Sequence, residues 1–212
     1  MGVMQVTPTD YAAARSQLHT VAEWLLAGPQ YSTSATIKLR ADDGMLRTVA
    51  APDVVVTEAG LVVDGETHPL RGTVSELGAA AGLPCERPEV QYHDPVPGGL
   101  TTALTASQPA YASVLHVFTI GHRALTHFSD ETPIVWPEHF DQAIRVGSVN
   151  YGISPGDSFS AQPYAYVGPD HTDGNDFWNA PFGAALPFDP NDPEASALMR
   201  TFFDEGRGLT QR

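Results

Sequence analysis

The chain has 212 residues, long enough to bury a core as one large domain or two small ones. Its 25 acids against 11 bases give a net charge of −14, which repels a phosphate backbone or an anionic bilayer and argues against nucleic-acid and membrane partners. No stretch reaches the ~18–20 apolar residues of a membrane helix, the opening residues lack a secretory pattern, and the lone Cys85 suits a reducing compartment, so a cytoplasmic protein is expected.

Thr7-Pro8 opens the first predicted helix, with Thr7 as cap. Tyr11, Ala14, Leu18, Val21, Ala22 and Leu25 form its apolar stripe, Gly28-Pro29 stops it, and His19, off that stripe, is expected in solvent. Three strands follow: Thr33–Arg40, a turn at Asp42-Asp43-Gly44, Leu46–Thr57, then Leu61–Leu70 with a further tight turn at Asp64-Gly65. Thr73-Val-Ser-Glu76 is a capping box ahead of a short helix.

Residues 84–109 read as a loop rich in Pro, Gly and Thr. Its Tyr92-His93-Asp94-Pro95 is either a turn or a His–Asp pair. A third helix runs over Ala110–Phe128, its histidines too far apart in sequence to share a metal. Strands are expected over 133–146, Ser148–Ile153, Pro163–Val167 and Asp176–Pro187. A last helix starts after Asp189–Pro193, and Gly206–Arg212 is expected to fray. The fold class is α+β: antiparallel sheets covered by about four helices, in two similar helix–meander–helix halves. The chain reads as one domain, with subdomains 1–84 and 107–212 joined by loop 85–106.

The chemistry concentrates in Thr132–Asp157. On a continuous strand Ile134–Val146, Trp136, Glu138, Phe140, Gln142 and Ile144 share one face, and His139, Asp141 and Arg145 share the other. His139 can then act as a base oriented by Asp141, or the two can give a metal two of its ligands, with Arg145 facing an anionic group. A plain solvated strand face is the alternative, and a bulge at Pro137 would bring Glu138 to the side of His139. Asn150, Tyr164, Tyr166 and Trp178 add the amide and aromatic groups of a small-molecule pocket lining, though the same rings also suit a core.

The succession VWPEHFDQAI, VNYGISPGD, PYAYVGP and FWNAPFGAALPF, ahead of a closing helix, resembles an uncharacterised family of actinobacterial proteins. More distantly it is similar to a bacterial domain-of-unknown-function family with HFD-type and YAY-type strand motifs. The correspondence falls on Leu18-His19, on Phe140 with His139 and Asp141, on Tyr164-Ala165-Tyr166 and on Phe182-Gly183. It implies an early antiparallel sheet and a closing helix, and no activity.

The reading favoured by the sequence is a binding protein for a small polar or aromatic ligand. Its site in the second half holds His139, Asp141, Arg145, Asn150, Tyr164, Tyr166 and Trp178. The alternatives are an enzyme of hydrolase or isomerase type using His139 and Asp141, and an oligomerisation module whose aromatic segments pair with a second copy. The sequence names neither a cofactor nor a metal.

Overall fold

A computed structural model describes residues 6–88 and 98–211. The Tyr92–Pro95 segment lies outside the described residues. The fold is α+β with antiparallel strand pairing and, among the described residues, four helices if the first is counted through its π turn. Two compact units form: Met1–His116 with Val135–Phe140, and Val117–Ile134 with Asp141–Arg212.

The first unit opens with α1 (Pro8–Val21), capped by the Thr7 side chain. Gly28-Pro29 does not end the helix. The chain passes through a π-helical segment, Ala22–Ala27, into α2 (Gly28–Ser34). The wider turn lets Gly28 N–H bond back five residues to Glu23, so that Pro29, which has no N–H, falls at the start of a new α-helical stretch where none is required. Glycine is needed at 28 for another reason: a Cβ there would lie 1.8 Å from the Glu86 carbonyl oxygen.

The helix ends at Ala35 in the left-handed region (φ 53°), so Thr33 and Ser34 are helical and the first strand starts late. Buried Gln30 holds the connection. Its amide nitrogen donates to the Thr36 and Lys38 carbonyls at 2.8 and 2.9 Å, and its oxygen accepts from the Val49 and Ala50 N–H groups at 2.6 and 2.9 Å.

Strands β1 (Leu39–Asp42), β2 (Met45–Thr48), β3 (Val54–Thr57), β4 (Gly60–Val63) and β5 (Glu66–His68) form a meander. The expected strand Leu46–Thr57 is two strands, separated by a segment with a cis Ala51-Pro52 bond. Asp43-Gly44 and Asp64-Gly65 are two-residue turns with positive φ at both positions, the geometry that matches strand twist. β6 (Gly72–Thr73) pairs with β7 (Ala103–Leu104), and α3 (Val74–Ala80) carries the Thr73–Glu76 capping box. The first half of α4 (Gln108–Phe128) belongs to this unit, where Tyr111 donates its hydroxyl to Gln17.

The expected strand 133–146 is broken. β8 (Ile134–Trp136) pairs with β1 at Val135–Leu39, then 137–140 turns, and Phe140 donates its N–H to the Trp136 carbonyl at 2.8 Å. Phe140 takes a left-handed conformation (φ 52°), which costs a non-glycine residue on the order of 1 kcal/mol or more. With period-two alternation lost across the turn, the expected division of Trp136, Glu138 and Phe140 from His139, Asp141 and Arg145 does not hold as one strand face.

The second unit is built on β9 (Asp141–Val146), β10 (Val149–Ser154), β11 (Tyr164–Pro169) and β12 (Ala184–Pro187), consecutive antiparallel neighbours. One sheet face carries Ile144, Tyr151, Ile153 and Val167. Tyr151 meets Phe128 at 4.6 Å and Phe203 at 5.9 Å between ring centroids. Gly121 of α4 fits beneath Ile153, and Gly206 of α5 (Ala195–Thr210) beneath Val167; a Cβ would come within 2.2 and 2.9 Å respectively. That close approach explains why the chain stays helical to Thr210 instead of fraying from Gly206. The last strand is only Ala184–Pro187, the preceding residues forming a loop.

Candidate functional site

The register of the second unit gathers the chemistry on the other sheet face. Asp141, Ala143 and Arg145 on β9 align with Asn150, Gly152 and Ser154 on β10, then with Tyr164, Tyr166 and Gly168 on β11. Asp141, Arg145, Asn150, Tyr164 and Tyr166 are therefore co-facial.

One row across the strands reads Ala143, Gly152, Tyr166, Ala185. The small neighbours give the Tyr166 ring room to lie across the sheet. A Cβ at Gly152 would fall 2.5 Å from the phenol Cζ and hydroxyl. Lying there, Tyr166 donates its hydroxyl to Asp141 Oδ2.

A second phenol–carboxylate pair sits beside the first. Tyr164 donates to Asp157 Oδ2, which also accepts from Ser154 Oγ at 3.4 Å. Burial first, and then the adjacent carboxylate, push both phenols above their ordinary range, so both stay protonated and donating at neutral pH. Asp157 is a hub: its other oxygen accepts the N–H groups of Phe159 and Ser160 at 2.7 and 3.2 Å. This turn, residues 157–160, follows the Ser-Pro-Gly-Asp element and carries Phe159.

Phe182 is presented in a similar way. Ala180 and Gly183 exchange backbone hydrogen bonds at 3.0 Å, with Phe182 in the tight turn between them. Gly183 (φ 133°) is required there, since a Cβ would come 2.2 Å from the Val167 carbonyl oxygen. Phe159 and Phe182 meet edge to face at 5.0 Å, and Tyr164 lies 5.4 Å from Phe159 and 6.1 Å from Phe182. Tyr166 lies 6.1 Å from Phe182 and 6.4 Å from Tyr164, closing a four-ring cluster. The two phenylalanines remain 45% and 37% exposed.

Arg145 and Asn150 occupy the solvent-facing end of this face. Arg145 donates to Asn150 Oδ1 at 3.3 Å and lies 3.6 Å from Asp170, an exposed pair of small energetic weight. Trp178 is engaged differently: its Nε1 donates to Asp173 at 2.8 Å and its ring packs edge-on against Phe177 at 4.9 Å.

His139 belongs to the first unit, where Nε2 lies 3.1 Å from Glu138 Oε1. Nearby is a group that the sequence reading missed. His19, expected in solvent, stacks on Phe140 at 5.1 Å with the rings 8° from parallel. Desolvation lowers its pKa to about 4, opposed by a hydrogen bond to the Pro137 backbone, so the imidazole is neutral. One turn on, in the π segment, Glu23 is fully buried with Arg87 Nε 3.5 Å away. Desolvation raises its carboxyl to about 7, Arg87 opposes that shift and Glu138 adds to it. The i, i+4 spacing of His19 and Glu23 was visible in the sequence, but their burial follows from the π turn and from left-handed Phe140.

Among the described residues, no group of three or more His, Cys, Asp and Glu could hold a metal ion. None of their helices is long and apolar enough to cross a membrane. No family model, no curated protein and no solved structure matches the chain.

Proposed function

We propose that the protein binds a small organic molecule on the Tyr164–Tyr166 face of its second unit. The observation that carries this reading is the four-ring cluster, in which Phe159 and Phe182 stay partly exposed on hydrogen-bonded turns and pack against the rings of two phenol–carboxylate pairs. Neighbouring exposed aromatic rings are the kind of apolar surface that marks interaction sites, and a few fixed polar groups beside it are what orient a ligand. Asp157 supports both features, since it fixes the Phe159 turn and receives the Tyr164 hydroxyl.

Acid–base catalysis by His139 and Asp141 has less behind it. Asp141 takes the Tyr166 hydroxyl, and His139 has Glu138 for a neighbour.

The test is ligand-observed NMR of the full chain against small aromatic and polar molecules, repeated on a Phe159→Ser/Phe182→Ser variant. Both rings also pack on Tyr164, so the variant is expected to lose about 1–3 kcal/mol, and circular dichroism shows that it stays folded before binding is compared. Binders that lose their signal in the variant support the reading. Binders that keep it, or a screen without binders, refute it.

A further inference from the structure

Resting on the binding reading above, we infer that the ligand of this face is an organic cation bearing an alkylammonium group. An aromatic ring presents a negative face, and an ammonium ion near it is attracted by roughly 0.5–2 kcal/mol according to how far it is desolvated. Phe159 and Phe182 are 45% and 37% exposed, and their rings meet edge to face. Asp141 and Asp157 accept the hydroxyls of Tyr166 and Tyr164, whose rings pack against Phe182, and the charges of both carboxylates reach both phenols. The rings and the carboxylates thus favour the same sign of ligand charge.

The remaining charges agree. Among the strand residues of this face the basic side chain is Arg145, which is already set against Asp170 and Asn150. The chain as a whole carries −14, a field that raises the local concentration of cations. An anionic ligand would approach two carboxylates without a counter-charge from the ring cluster. A neutral apolar ligand would draw nothing from the carboxylates.

The experiment compares choline with 3,3-dimethylbutan-1-ol, which has the same shape with carbon in place of the charged nitrogen. Dissociation constants are measured by NMR titration of the full chain, with Phe159→Leu and Phe182→Leu as variants. Choline is expected to bind about tenfold more tightly than the alcohol, the factor that corresponds to ~1.4 kcal/mol. Either leucine variant should reduce choline binding about fivefold or more and the alcohol by a smaller factor, because leucine keeps most of the apolar area and removes the ring. Added sodium chloride should weaken choline alone.

Equal affinities, or alcohol binding without choline, would overturn the cation inference and leave the site standing. If neither compound binds while other molecules in the screen bind at Phe159 and Phe182, the inference again falls and the site survives. If binders are found only away from those rings, both fall.

Discussion

Replacing Glu23 by Gln tests the physical reading of the first unit most sharply. Glu23 is fully buried, its nearest cation is Arg87 Nε at 3.5 Å, and Glu138 adds repulsion. Burial raises the folded carboxyl from an ordinary 4.5 to about 7. A group whose folded pKa is raised binds its proton more tightly in the folded state. Folding therefore becomes less favourable as pH climbs from about 4.5 through about 7, and more favourable again as pH falls. The full difference corresponds to roughly 3 kcal/mol above pH 8, an order-of-magnitude figure. Glu23→Gln keeps the shape and removes the charge. Urea unfolding followed by circular dichroism at pH 5 and pH 8.5 should show the parent losing stability with pH while the variant stays flatter. The variant should match the parent near pH 5 and exceed it by about 1–3 kcal/mol at pH 8.5. A variant less stable than the parent by about 1 kcal/mol at pH 8.5 would refute the reasoning, because the Arg87 pair would then outweigh the cost of burial.

Two further substitutions probe the scaffold. Gly152→Ala places a methyl group 2.5 Å from the Tyr166 phenol, so a loss of about 1–3 kcal/mol is expected, together with shifted Tyr166 ring resonances; unchanged stability and ring shifts would contradict the packing. Gln30→Ala removes four backbone-directed hydrogen bonds and should cost about 2–4 kcal/mol by chemical unfolding, whereas a loss under roughly 0.5 kcal/mol would show that the Gln30 clamp contributes little.

What was legible in the sequence was local. The Thr73–Glu76 capping box and the Asp43-Gly44 and Asp64-Gly65 turns are set by residues two or three apart, and each occurs where those residues predict it. Period-two alternation within β9 and β11 put Asp141 with Arg145, and Tyr164 with Tyr166, on common faces. Features that depend on distant packing were not legible. Gly28-Pro29 reads as a stop, yet it follows a π turn at which the Glu86 backbone approaches. His19 reads as solvated, yet it meets a Phe140 ring set by a left-handed backbone more than a hundred residues away in sequence. Phe159 and Phe182 stand on loops without periodicity, and only the turns fixed by Asp157 and Gly183 bring them to Tyr164.

Backbone chemical-shift mapping with benzyltrimethylammonium, which carries both a ring and a cationic head, tests the central claim most directly. Binding at the proposed face predicts the largest shifts at Phe159, Ser160, Tyr164, Tyr166, Phe182 and Gly183. Shifts confined to α1, or to the β3–β4 hairpin, would contradict it.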